Sequence, residues 1–330
     1  MNATSTARPA RGLVNPVGWL GRSVIAVVAY AGGVTLLACG ALGSLLWPRR
    51  DRAHAAAAPG FWNTLIHQLS WMLMMGVPLV GMVHVALGSF LSLQAYYGST
   101  FVDGTGAVVG VGLLRNLGGL MTGLTFAGIL SARMVPELHI LSRHMIIALT
   151  PAHFATSTGA RLPNEIDDDE PGGALAIAPG RLAAPRIVAA GIACLLLSQW
   201  GIAVGTLVGW QASQSMMGLS TGTFFMMMAK MMWFRDVVGL VVKGLFFGAL
   251  PALVCCYEGL GPGASDHEPA SESISDSHPG HGLAPPWSTS VFRAACLSFA
   301  AILVLSSSWF ILVYHAVPFY GPTLLTPQGP

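Results

Sequence analysis

The chain has 330 residues, 53% of them hydrophobic and only 9% charged, with a mean hydropathy of +0.64. A soluble domain carries about 25% charged residues, so the composition excludes a water-soluble globular protein, and a net charge of +2 is too small to point to nucleic acid. The apolar runs are long and rich in Gly, Ala and Leu rather than short and alternating, which excludes a transmembrane barrel and predicts an all-α integral membrane protein.

Six apolar segments follow in chain order: Val24–Trp47, Leu65–Leu93, Ala107–Ala132, Ile187–Trp210, Val237–Leu260 and Ala294–Val317. Each is long enough to cross about 30 Å of hydrocarbon at about 1.5 Å per residue. The first is unlike the rest. Arg8, Arg11 and Arg22 precede it and Arg49, Arg50 and Arg52 follow it, so a crossing would carry one basic cluster to the outer side. The expectation is therefore an N-terminal tail and interfacial or re-entrant helix over residues 1–60, then five transmembrane helices over 61–330. Arg133, Arg143, Arg161, Arg181 and Arg186 place the connection between the third and fourth segments in the cytoplasm. Gln94–Thr105, Gln211–Ala229 and the tail after Val317 carry no Lys or Arg and suit the outside, although Lys230 and Arg235 near the fifth segment run against this. The N-terminus is then cytoplasmic and the C-terminus periplasmic.

Two inserts, over 133–186 and 261–290, belong to the cytoplasmic side. Arg161–Gly173 is acidic, and Gly261–Pro286 is rich in Ser, Gly, Pro and His; both compositions disfavour a packed core and predict loops. The stretch Ser213–Asp236 is Met-rich with Phe224, Phe225 and Trp233, and is expected to form an amphipathic interfacial helix leading into the fifth segment.

Arg115 lies in Val111-Gly-Leu-Leu-Arg-Asn-Leu-Gly-Gly-Leu120 with no carboxylate nearby in sequence. A guanidinium at the bilayer centre costs roughly 3 kcal/mol or more, so it is paired, lines a watery cavity or snorkels. Lys243, in Val241-Val-Lys-Gly-Leu-Phe-Phe-Gly248, raises the same question. The five cysteines all lie in apolar runs and are expected to be small buried hydrophobes. His278 and His281 sit with Asp266 and Asp276 in a Pro/Gly-rich loop where nothing fixes a geometry, so neither a metal site nor a cofactor is expected. His67, His84 and His315 are expected to hydrogen-bond between helices. There is no Walker A loop, no His-x-x-Glu-His and no Gly-x-Ser-x-Gly; ATP-driven transport would need another subunit to supply the nucleotide site. Gly119 and Gly123 form a Gly-x-x-x-Gly pair that permits close helix approach or dimerisation.

The order of several short motifs is similar to that of the MlaE/YrbE permeases, the membrane subunits of MCE-type ABC lipid transporters. The family run Arg-Glu-Leu-Gly-Pro-Val-Leu-Thr-Ala-Leu, then Ala-Gly-Arg and Ala-Glu-Leu, resembles Arg115-Asn-Leu-Gly-Gly-Leu-Met-Thr122-Gly-Leu, then Ala127-Gly-Ile and Pro136-Glu137-Leu138. Leu93-Gln94, Pro185-Arg186, Lys243-Gly-Leu-Phe-Phe-Gly248, Cys256-Tyr257-Glu-Gly259 and Arg293 match further family positions. The resemblance runs from about Trp19 to about Val317 and makes the chain a divergent member.

The resemblance implies an interfacial N-terminal helix, five crossings and a homodimer. It also implies a cytoplasmic ABC ATPase partner, an MCE-domain lipid-binding partner outside and a lipid cavity between the two permease subunits. Carried over residue by residue, Arg115, Asn116, Lys243 and Ser306 are the substrate-cavity candidates, Asn116 and Ser306 standing where the family has acids. With those acids gone, the two cations are expected to meet an anionic lipid head group before any internal carboxylate. Glu137, Arg143, His144, Met145 and Leu149 are the ATPase-coupling candidates. The family's Glu-Gln-Ile-Asp-Ala-Leu coupling segment corresponds here to Met145-Ile-Ile-Ala-Leu-Thr150, which has no acid. That departure implies an alternative, a non-transporting scaffold or regulatory paralogue.

Overall fold

Where a chain is apolar over whole stretches and no water reaches its backbone, each N–H and C=O must find its partner within the segment, which leaves the helix. The computed structural model describes residues 16–46, 60–98, 107–157, 179–260 and 288–313. They form α1 (Pro16–Leu46), α2 (Phe61–Gly98), α3 (Gly118–Ser157), α4 (Pro179–Met217), α5 (Thr221–Met231), α6 (Phe234–Leu260) and α7 (Ser288–Ile311). Two π-helical turns, Ala107–Val111 and Leu113–Leu117, lead into α3. The described residues contain no β-strand. Six of the helices, α1 among them, are long and apolar enough to cross a membrane.

The five helices α2, α3, α4, α6 and α7 form the body, and their contacts fix their directions. His84, Gly88 and Ser92 of α2 meet Gly201, Gly205 and Gly209 of α4 at matching four-residue steps, so these helices run parallel. Gly123 and Gly259 take up Phe247 and Leu138 respectively, which makes α3 and α6 parallel to each other. Gln68 reaches Glu137 and His84 reaches Gly118, setting α3 antiparallel to α2. Arg293–Glu258 and Ser306–Asn116 set α7 antiparallel to both α3 and α6. Successive long helices of the body therefore alternate in direction, as a chain that crosses a membrane repeatedly must.

Close approach of these helices rests on glycine. A Cβ on Gly88 would strike the carbonyl oxygen of Gly205, and one on Gly248 the carbonyl oxygen of Ala190. The Gly119/Gly123 pair is used inside the chain: a Cβ on Gly123 would lie 3.1 Å from Phe247, and one on Gly119 3.9 Å from Leu240. The core between the helices includes Met72, Val80, Phe126, Leu130, Leu197 and Phe247, all fully buried.

The unbroken helix α1 lacks the turn that a re-entrant segment has. Its close approaches fall at one end of the bundle, Gly33 against the Tyr257 ring and Gly40 against the backbone of Gly180. Both sites lie where α4 begins and α6 ends. Residues 157 and 179, and 260 and 288, lie at this same end, so both polar inserts leave the body there. The Met-rich stretch forms a helix of its own, α5, at the opposite end. Gly218, at φ 63°, turns the chain out of α4, and the Ser220 hydroxyl accepts the Thr223 N–H to cap α5.

Candidate functional site

Arg115 lies in the second π-helical turn, and its partner comes from far along the chain. Its Nε donates to Oδ2 of Asp236 at 3.1 Å and its Nη2 to the carbonyl of Met231 at 2.9 Å. Asp236 is the third residue of α6, and the same Oδ2 accepts the N–H of Trp233 at 3.1 Å. This is the reach-back of a first-turn acid to the residue that opens the helix, favoured by the positive end of the helix dipole. The local sequence thus fixes the carboxylate before the guanidinium arrives. The Asp236 side chain is fully buried, whereas the Arg115 side chain keeps 32% of its surface exposed. The expectation that Arg115 would meet lipid or water before an internal carboxylate is corrected here. Asp236 stands 121 residues away, and the predicted fifth segment began one residue after it.

Lys243, two turns further along α6, is buried, and its Nζ donates to the carbonyl of Arg115 at 2.8 Å while lying 6.0 Å from the centre of the Trp309 ring. Asn116 accepts from the Ser306 hydroxyl at 3.3 Å. All four cavity candidates are therefore gathered at one end of the bundle, where α3 and α6 begin and α7 ends. The node pairs Arg115 with the Asp236 carboxylate and seats Lys243 on the Arg115 backbone carbonyl, and Arg115 is the cation that faces outward. Beside it, His84 spans α2 and α3, its ring nitrogens 2.9 Å from the Val80 carbonyl and 3.2 Å from the Gly118 carbonyl. That is the helix-to-helix role expected of it.

The opposite end holds two further ion pairs. Glu137 Oε1 accepts both Arg186 Nη2 and Gln68 Nε2 at 3.0 Å, and Gln68 in turn accepts the Trp71 indole at 2.6 Å. Arg133 stacks over that indole, its Cζ 4.7 Å from the ring centre. Glu258, with a fully buried side chain, is held by Arg293 through Nε at 2.9 Å. Glu137 thus ties α2, α3 and α4 together, whatever it offers a partner. Arg143, His144, Met145 and Leu149 lie on α3, but their side chains fall outside the described residues, as do His278 and His281 with Asp266 and Asp276. Three cysteines, Cys194, Cys255 and Cys256, are buried as expected; Cys39 and Cys296 are exposed on helix surfaces.

Asp236, and the pairing of Glu258 with Arg293, were missed in the sequence. The signals were weak but present: an acid in the third position of a helix, and an acid at the end of one apolar segment with an arginine at the start of the next.

A family model described as "Permease MlaE" matches residues 161–273. Over that stretch the chain is similar to the MlaE permeases. The matched stretch takes in α4, α5 and α6, and so Asp236 and Lys243, while Arg115 lies before it. A probable ABC transporter permease protein of Rickettsia bellii (strain RML369-C) is 22% identical over 250 residues, 75% of this chain and 85% of the relative. A probable ABC transporter permease protein of Rickettsia typhi (strain ATCC VR-144 / Wilmington) is 23% identical over 250 residues, with the same shares covered. The charged node lies across the boundary of the matched stretch, with Arg115 on one side and Asp236 and Lys243 on the other.

Proposed function

We propose that the chain is the permease subunit of an ABC-type transporter in a bacterial inner membrane. It would move phospholipid or a similar lipid between that membrane and an MCE-type partner. Similarity to the MlaE permeases supports the class. The observation that carries the substrate is the node at Arg115: its guanidinium is paired with the buried Asp236 carboxylate yet stays a third exposed beside apolar helix surfaces, and the Lys243 ammonium is held on its backbone carbonyl. Such a place suits an amphiphile whose phosphate meets Arg115 and whose chains lie against lipid-facing side chains. A guanidinium fork matches phosphate oxygens and retains donors after pairing through Nε and Nη2. The subunit carries out no chemistry. A cytoplasmic ATPase supplies the nucleotide site, a second copy of the chain completes the cavity, and the inserts at 133–186 and 261–290 face the ATPase.

The test is reconstitution with the ATPase and the MCE-type partner, read as ATP-dependent transfer of a fluorescent phospholipid between vesicles. Arg115→Lys keeps the charge but loses the fork, and transfer should fall about tenfold, as for the loss of a charge-assisted hydrogen bond. Wild-type rates from Arg115→Lys and Arg115→Ala alike would remove Arg115 from the lipid path. Glu137, committed to Arg186 and Gln68, favours the second reading, a scaffold that no longer couples to an ATPase. Purification in mild detergent separates the two: a permease brings down a protein with Walker motifs, and a scaffold does not.

A further inference from the structure

The node at Arg115 holds more than its own side chains. Its Nη2 bond to the Met231 carbonyl grips the last residue of α5. This short helix is joined to the body through two breaks in the helical backbone: Gly218 at φ 63°, and Met232, which is extended at φ −82° and ψ 128°. Between those points little of α5 is buried. Phe224 alone among its residues is fully buried, inserted against Leu91, Val109 and Leu113, while Phe225, Met226 and Met231 are exposed. Met228 lies over Gly110, whose missing side chain makes room for it. What α5 covers is the first π-helical turn, Ala107–Val111, and Leu113 of the second, and π-helical turns are frequent at functional sites.

We propose that α5 is a hinged strap. Its closed position is set by Phe224 and by the Arg115 grip on Met231, and it lifts off the π-helical stretch to open the bundle at that end. Asp236 acts as the positioning residue. By holding Nε it aims Nη2 at the strap, so a ligand anion competing for the guanidinium would loosen α5 and gain a path in a single step. This rests on the transport reading above, since a strap has a purpose only if something passes beneath it. The motion itself does not need that reading and is measured apart from it.

Two experiments test it, both with the exposed Cys39 and Cys296 replaced by Ala. In the first, Gly110→Cys is combined with Met228→Cys. A Cβ at Gly110 would lie 3.4 Å from that of Met228, near the spacing a disulfide needs. Oxidation should form the bond and, in the reconstituted complex, slow transfer of a fluorescent phosphatidylglycerol at least about tenfold, with recovery on reduction. A confirmed disulfide with unchanged transfer overturns the strap, and so does failure of the bond to form. In the second, Val109→Cys places a thiol beneath Phe224, and its reaction with a water-soluble maleimide is followed in nanodiscs by peptide mass spectrometry. Labelling should be slow and should rise about tenfold with either Phe224→Ala or Arg115→Gln, while the native thiols at Cys194, Cys255 and Cys256 stay protected. Equal labelling in all three backgrounds overturns the strap, as does labelling that rises only together with those native thiols. If the parent complex moves no lipid, the transport reading fails, and the labelling result still decides the strap.

Discussion

The pairing of Arg115 with Asp236 makes an asymmetric prediction. Asp236 has no exposed side-chain surface, while Arg115 retains 32%. Removing the guanidinium with Arg115→Gln leaves a carboxylate with no water to receive it, and losing one partner of a buried pair costs about 3–5 kcal/mol. The low end applies, because the Trp233 N–H still donates to Asp236 at 3.1 Å and Lys243 remains nearby. Removing the charge from the other side with Asp236→Asn lets Arg115 turn to water and leaves an amide oxygen for one donor. The loss is then close to that of a hydrogen bond to a charged group, about 1.5–2 kcal/mol. The double variant should sit near Arg115→Gln or above it in stability, giving a coupling of at least about 1.5–2 kcal/mol. Reversible unfolding by titrating SDS into dodecylmaltoside micelles, followed by tryptophan fluorescence, supplies all four stabilities. Equal single costs, or costs that simply add, would refute the argument that burial of Asp236 controls this node.

The glycine contacts give a contrast within one chain. Gly88→Ala drives a Cβ into the carbonyl of Gly205 and should force α2 and α4 apart at a cost of about 3 kcal/mol; Gly32→Ala in α1 meets nothing within 4 Å and should be neutral or stabilising by up to about 1 kcal/mol. Thermal aggregation midpoints of the two variants check this. At the other end of the bundle, Arg293→Gln takes the cation from the buried Glu258 and should destabilise by about 3 kcal/mol. Adding Glu258→Gln should recover at least half of that loss, measured by the same SDS titration.

Most of the architecture was legible because the bilayer imposes it. Long apolar runs with few charges can only be helices, and the chain from Leu65 onward reads as five of them from composition and length alone. Basic residues further suggested that the first segment stands apart, and α1 does meet the body at a single end. Helix ends were less legible. The fourth segment was expected from Ile187, yet α4 starts at Pro179 and carries Pro185 inside it. The Met-rich run was expected to enter the fifth helix directly, and instead Met232 and Trp233 break it into α5 and α6.

Composition and segment length are enough to make this a helical membrane protein with Arg115 and Lys243 as its costly charges, and the order of its motifs resembles that of a permease family. The sequence could not say what neutralises those charges, because ion pairing depends on distance in space. Asp236 is 121 residues from Arg115 in the chain and 3.1 Å from it in the fold. Only the packing of α3 against α6 brings them together. The glycines that let the helices approach so closely are spread along the sequence among many others, and only the tertiary structure shows which of them lie at a contact.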